Sequence, residues 1–257
     1  MTPREAAAAL FAVRTEGRTV DPFTDDRPDL DETWAYDVQD LDQQQRLDAG
    51  EVAFGAKLGL TSVAKQQRMS VDRPIVGFLT EPMLRDADTL ADDLVRWVQP
   101  RIEPEIAFVT GRALSGPLSR EEAADAVESV TIAAEILDSR YTGYRFRLAD
   151  VVADNTSAAG LLLGADRHRL ADLPELAELS CTVEVDGEVT HRATGAAILG
   201  DPLLALVLLT EHLGRRGETL PAGSVVLAGA LTDAVPLEAG KRYRLEVVGL
   251  GVIETSA

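Results

Sequence analysis

The spacing of apolar residues divides the chain into a helical opening and a strand-rich remainder. Residues 3–16 are Ala-rich with Pro3 near the start, which predicts a first helix. TVDPFTDDRPDL follows as a loop rich in Pro and Asp. Asp31 is placed to cap a second helix running to about Ala49, with Gly50 as its stop. Trp34, Val38, Leu41 and roughly Gln45 fall at helical spacing and predict its packed face. From Glu51 the texture changes. VAFGAKLGL predicts a strand, SVAKQQRM a short helix, and IVGFL, after the Arg73-Pro74 turn, another short strand. Residues 97–109 read as extended. Ser119 and Glu122 make a capping box for a helix over 119–128. VTIAAEILDS is buried, and its β-branched start favours a strand. Asp186-Gly187 between two alternating runs predicts a hairpin. Residues 201–216 predict a helix capped by Asp201, with Pro202 at the first position. VVLAG and YRLEVVGLG predict late strands. The fold class is therefore α+β. The simplest division is one continuous domain, with an N-terminal helical region over 1–70 and a strand-rich body over 71–257.

Composition narrows the function classes. The 257 residues are 46% hydrophobic and 26% charged, enough for a sizeable core and unlike a disordered or disulfide-stapled chain. Lys and Arg number 25 against 43 Asp and Glu, giving a net charge of −18. Such a surface repels phosphate backbones, so nucleic acid and anionic membranes are not expected partners. The single cysteine, Cys181, rules out an internal disulfide and fits a reducing compartment. MTPREAAAALFAVRTEG reads as an amphipathic helix rather than a signal peptide, and no run of about 20 apolar residues could span a membrane. A soluble, cytoplasmic protein is expected.

Common catalytic motifs are missing. There is no Walker-type phosphate loop, no G-x-G-x-x-G between a strand and a helix, no H-E-x-x-H and no G-x-S-x-G elbow. His168, His191 and His212 are scattered and read as surface or hydrogen-bonding residues. Cys181, in an alternating strand, reads as a small core residue. The richest stretch is Glu103-Pro104-Glu105. On a strand these carboxylates share one face, with backbones about 7 Å apart. Apolar residues follow at once, and a third carboxylate, Glu135, interrupts another apolar run. Buried together, such groups need a cation between them, and an all-oxygen set selects Mg²⁺ or Mn²⁺. The plainer alternative is that Glu103 and Glu105 face solvent and Glu135 lies on a helix surface. Lys57, among small residues in an apolar strand, either pairs with a carboxylate or is a snorkelling edge lysine. Arg140 either clamps a substrate carboxylate or pairs near Asp138. Asp154-Asn155-Thr156-Ser157 is either a turn that holds a site or an Asx-capped loop.

Four segments in order carry a resemblance: Gly55-Ala-Lys-Leu-Gly-Leu-Thr-Ser62, Pro100-Arg-Ile-Glu-Pro-Glu-Ile-Ala-Phe108, Glu135-Ile-Leu-Asp-Ser-Arg140 and Val152-Ala-Asp-Asn-Thr-Ser157. Together they resemble the 2-keto-4-pentenoate hydratase / 2-oxohex-3-enedioate (4-oxalocrotonate) decarboxylase family of the fumarylacetoacetate hydrolase superfamily, from about Thr33 to the end. The resemblance implies a mixed β-roll body with an N-terminal α/β cap. It implies homo-oligomers, with pairing to a related hydratase or decarboxylase. It also implies Glu103, Glu105 and Glu135 as ligands of Mg²⁺ or Mn²⁺, and Lys57 as the active-site lysine. Arg140, Asp154, Asn155 and Ser157 complete the expected catalytic set around a small 2-oxo acid.

The turn after Lys57 separates two activities. Hydratases of this family usually read Glu-Pro-Asp-Phe-Gly there, whereas this chain reads Arg73-Pro74-Ile75-Val76-Gly77. Adding water needs positioned proton-transfer groups, while decarboxylation needs mainly an electron sink. Losing the aspartate, together with Asp138-Ser-Arg-Tyr-Thr-Gly-Tyr-Arg-Phe-Arg-Leu148, points to decarboxylation of 2-oxohex-3-enedioate to 2-hydroxypenta-2,4-dienoate and CO₂. The rivals are a hydratase that turns 2-hydroxypenta-2,4-dienoate into 4-hydroxy-2-oxopentanoate and a non-catalytic partner subunit. An acylpyruvate hydrolase-like enzyme would need a His-Glu pair that does not stand out here.

Overall fold

The computed structural model describes residues 1–69 and 71–257. The chain opens with three helices, α1 (Pro3–Thr15), α2 (Phe23–Asp26) and α3 (Glu32–Asp48). Strand β1 (Ala53–Gly59) leads into α4 (Val63–Met69) and β2 (Ile75–Thr80). After α5 (Leu90–Asp93) come β3 (Arg101–Thr110), α6 (Arg120–Asp125), β4 (Val127–Leu137), α7 (Leu148–Ala153) and β5 (Ala158–Leu163). The hairpin β6 (Ser180–Val185) and β7 (Glu188–Thr194) precedes α8 (Leu203–Arg216). Strands β8 (Val225–Ala230), β9 (Val235–Pro236), β10 (Arg242–Val247) and β11 (Gly251–Ser256) finish the chain.

The strands form two sheets. The larger runs β2-β1-β8-β3-β4-β5, with β9 beside β3, and the smaller runs β11-β10-β6-β7. Only the β1–β8 pairing is parallel among these ladders. Alternation sorts the large sheet's side chains. Ile102, Ile106 and Phe108 of β3, Ile132, Ala134 and Ile136 of β4, and Val226 and Ala228 of β8 share one core with Val183, Leu245 and Val247 of the small sheet and Leu206 and Leu209 of α8. The opposite parity, Lys57, Glu103, Glu105 and Glu135, lies on the other face. A second core joins Ala6, Leu10, Ala35 and Val38 of α1 and α3 to Ile75, Tyr141 and Val152. This is the α+β architecture with a curled mixed sheet that the sequence predicts.

Several local expectations hold. Asp31 accepts a hydrogen bond from the Trp34 amide at 2.9 Å, and Gly50, at φ 92°, follows the end of α3. Asp186 and Gly187 adopt the left-handed pair that a two-residue hairpin turn requires. Others are corrected. The helix expected over 119–128 keeps its capping box but stops at Asp125, because the chain extends into β4 from Val127. The segment YRLEVVGLG is not one strand: Gly249, at φ 92°, turns it between β10 and β11. On α3 the expected Val38 is buried and Trp34 and Leu41 pack half-buried against the second core, but Gln45 is exposed, and the fully buried set also takes in Ala35, Tyr36, Gln39 and Asp42. Two polar residues can be buried there because both are bonded. Gln39 Nε2 donates to the Val76 and Val152 carbonyls, and Asp42 pairs with Arg14 and Arg46. The boundary expected at 70 falls on Ser70, outside the described residues; β1, before it, pairs with β2 and β8, after it.

Candidate active site

Strand register assembles the site. Glu103 of β3 stands directly opposite Glu135 of β4, and Glu105 lies two residues on, facing the same way. On the other side, β8 joins β3 to β1: Leu227 pairs with Ala107 and with Lys57. One carboxylate oxygen from each of Glu103, Glu105 and Glu135 lies within 4.8 Å of the others. Glu105 and Glu135 are 0% exposed, Glu103 6% and Lys57 2%. Lys57 Nζ is 2.9 Å from Glu135 Oε2 and donates to the Thr156 carbonyl at 3.4 Å. A bulge between β3 and β8 completes the cradle. There Gly229, at φ +119°, turns its amide to donate to Glu105 Oε2 at 2.7 Å. A Cβ at Gly229 would overlap the Thr61 side chain, so glycine is required twice over.

The electrostatics call for a cation. Burial, and then Glu135, push the Glu105 carboxyl well above its ordinary range. Burial also raises Glu135, with Lys57 opposing. Burial works against the charge on Lys57, but Glu135, Glu105 and Glu103 outweigh it and raise its pKa overall. Among the described residues, Glu105 Oε1 and Glu135 Oε1 find no hydrogen-bond donor although both are buried. Carboxylate oxygens so placed are costly without a charge partner. A compact set of three oxygen donors, partly unpaired, fits a hard divalent ion.

The remaining expected residues divide by role. Arg140 and Asp154 are turned on each other: the Arg140 guanidinium bonds the Asp154 carboxylate and its carbonyl, and the Arg140 amide donates to Asp154 Oδ2 at 3.0 Å. With Arg140 4% exposed, that guanidinium is committed to holding two chain segments together rather than free to clamp a substrate. Asn155 also holds backbone. Its side chain accepts from the Phe78 amide at 2.9 Å and donates to the Phe78 carbonyl at 3.0 Å, like an added strand residue on β2. Asn155, Thr156 and Ser157 all have positive φ, at 47°, 53° and 62°. Their side chains are buried, and Thr156 Oγ1 and Ser157 Oγ have no hydrogen-bond partner among the described residues. Three left-handed non-glycine residues in a row mark a strained turn beside Lys57.

Sequence reasoning missed four contributors. Gly229 and Thr61 form the bulge contact; Thr61 lies in the Gly55–Ser62 segment that carries the resemblance, but its part in the site, like that of Gly229, shows only once β8 is paired. Gly77 lets the turn approach β2: a Cβ there would lie 2.6 Å from Thr156 Oγ1 and 2.8 Å from Asn155 Oδ1. Lys65 of α4 brings Nζ to 3.9 Å from Glu103 Oε2. Cys181 lies in the main core, as expected.

Comparison with known proteins gives the family. The fumarylacetoacetate (FAA) hydrolase C-terminal family model matches residues 53–256. A 4-oxalocrotonate decarboxylase of Pseudomonas sp. is 40% identical over 223 residues, 86% of this chain and 85% of the relative. A 2-keto-4-pentenoate hydratase of Paraburkholderia xenovorans (strain LB400) is 35% identical over 260 residues, 99% of this chain and 96% of the relative. The solved 4-oxalocrotonate decarboxylase from Pseudomonas putida G7, complexed with magnesium and adipate, matches with a TM-score of 0.90 at 32% identity, covering 98% of this chain and 95% of that one. The chain belongs to the 2-keto-4-pentenoate hydratase / 4-oxalocrotonate decarboxylase family of the fumarylacetoacetate hydrolase superfamily.

Proposed function

We propose that the protein is a divalent-metal-dependent decarboxylase of 2-oxohex-3-enedioate, yielding 2-hydroxypenta-2,4-dienoate and CO₂. The observation that carries this reading is the buried cluster of Glu103, Glu105 and Glu135 with Lys57 against it. These three glutamates would hold Mg²⁺ or Mn²⁺. When bound, the ion supplies Lewis acidity to the 2-oxo acid end of the substrate. In the reaction the bond to the distal carboxylate breaks and CO₂ leaves. Its electron pair moves through the alkene to the 2-oxo oxygen, which takes a proton. Lys57 is a proton-bearing group in the enclosed part of the triad, fixed by Glu135 and the Thr156 carbonyl. It can donate a hydrogen bond to the oxygen as charge develops there, an interaction strongest where water is excluded.

Ile75 supports decarboxylation over hydration. It is buried on β2 opposite Gly59. A Cβ at Gly59 would lie 3.2 Å from Ile75 Cγ1 and 3.8 Å from Lys57 Nζ, so Ile75 walls the same gap as the lysine. An aliphatic side chain there excludes water and neither takes nor gives a proton. The test is an assay on 2-oxohex-3-enedioate with Mg²⁺. CO₂ release with persistence of 2-hydroxypenta-2,4-dienoate is expected. Consumption of 2-hydroxypenta-2,4-dienoate without CO₂ release makes the protein a hydratase instead. Undiminished activity after exhaustive EDTA treatment overturns the metal-dependent reading altogether.

A further inference from the structure

We infer that Lys65 of α4 is a specificity-determining residue that recognises the second carboxylate of a dicarboxylic substrate at the mouth of the glutamate cluster; this rests on the reading above. The exposure of the glutamates locates the mouth. Glu105 and Glu135 are fully enclosed, and Glu103 alone of the three reaches solvent. Lys65 stands at that end. Its Nζ is 3.9 Å from Glu103 Oε2, inside ion-pair range but beyond a hydrogen bond, and its side chain is 29% exposed.

Among the described residues, the other cations around the cluster are already committed. Lys57 is 2.9 Å from Glu135. Arg140 is locked to Asp154. Lys65, among the described residues, is held by charge alone, on a four-carbon arm that can shift between partners at small cost. Its base is firm: the Lys65 amide donates to Ser62 Oγ at 3.3 Å, and Gln66 Nε2 donates to the Leu60 carbonyl at 2.9 Å.

Charge balance gives the arm its purpose. Three carboxylates, Lys57 and one divalent ion sum to zero. A 2-oxo acid brings one negative charge, and a distal carboxylate brings a second into a site already lined with glutamates. Lys65 is placed to receive that second charge, leaving Glu103 to the ion. A monocarboxylic ligand gains nothing from it. The pairing favours the carboxylate that CO₂ loss later destroys, so it serves binding more than the chemical step.

The test compares adipate with hexanoate, six-carbon acids that differ by one carboxylate, by calorimetric titration with Mg²⁺ present. Lys65→Gln should weaken adipate binding by about fivefold to tenfold, the scale of a half-exposed ion pair, and leave hexanoate unchanged. Lys65→Arg should restore most of the preference. In turnover, Lys65→Gln should raise KM for the dicarboxylate more than it lowers kcat. Equal effects on both acids, an unaltered adipate affinity, or a wild type that does not prefer adipate each overturns the assignment. Titration of the wild type with Mn²⁺ is read separately. Failure to bind sinks the metal-dependent reading, while the adipate preference is still compared between wild type and variant without metal. Circular dichroism melting confirms that each variant is folded.

Discussion

Glu105 carries the sharpest conflict in the molecule. One of its oxygens accepts from the Gly229 amide, the other has no partner among the described residues, and Glu135 repels it from the next strand. Glutamine in its place keeps an oxygen for the Gly229 amide and removes a charge that the metal-free protein must desolvate. Glu105→Gln should therefore melt higher than wild type in EDTA, by an amount equivalent to about 1–3 kcal/mol. It should also lose most of the further rise that Mg²⁺ gives the wild type. Scanning calorimetry with and without Mg²⁺ reads both effects, and a variant less stable than wild type in EDTA contradicts the account. Arg140 makes the opposite case. Arg140→Gln leaves the buried Asp154 carboxylate unpaired and should cost about 3–5 kcal/mol in urea unfolding, while Mn²⁺ affinity stays near wild type. A loss of substrate affinity at unchanged stability would return Arg140 to the role of substrate clamp. The two residues also differ in how readable they were. Glu103 and Glu105 are two apart, and strand alternation alone puts them on one face. An arginine after Asp138-Ser139 looks the same whether it faces a ligand or a buried aspartate, and only the path of the chain distinguishes the two.

Elements were readable where local chemistry decides them and misread where burial depends on a distant partner. The capping box at Ser119, the Asp186-Gly187 turn and the Asp31 cap are properties of a few adjacent residues. The face of α3 is not, because Gln39 and Asp42 are buried only by virtue of β2, α7 and α1. The same helix has a consequence for pH. His212 of α8 packs its ring 4.9 Å from that of Tyr36 on α3, with Arg216 and Arg215 on its own helix and Arg73 before β2 nearby. Burial first, and then these arginines, lower its pKa from 6.5 to about 4. The unfolded chain takes up a proton there near pH 6.5, whereas the folded protein resists until about pH 4. Stability is therefore fully present above 6.5 and drains as pH falls through that window. His212→Gln should narrow the gap in urea midpoint between pH 7 and pH 4.5. An identical gap in both proteins would show that His212 takes no part in the acid response.

At the scale of the whole molecule, the candidate site is a product of topology. Lys57, Glu103, Glu105, Glu135 and Gly229 come from β1, β3, β4 and β8, and they meet only when the parallel β1–β8 pair and the antiparallel β3–β4 pair are both in register. No spacing in the chain announces that Glu135 faces Glu103; the order of four short motifs suggested it, through resemblance. Because the unfolded chain has no such cluster, an ion that binds it favours the folded state by mass action. The melting temperature of the wild type should therefore climb steadily with the logarithm of free Mg²⁺ above the dissociation constant. At a hundredfold excess over that constant the stabilisation should be about 2.7 kcal/mol. Replacing any one of Glu103, Glu105 or Glu135 by Gln should flatten that climb, whereas a change on the distant β7 edge, such as Val189→Thr, should leave it intact. A wild-type melting temperature indifferent to Mg²⁺ and Mn²⁺ alike would mean that three converging glutamates are held together by Lys57 alone, and the charge argument on which the site is built would fail.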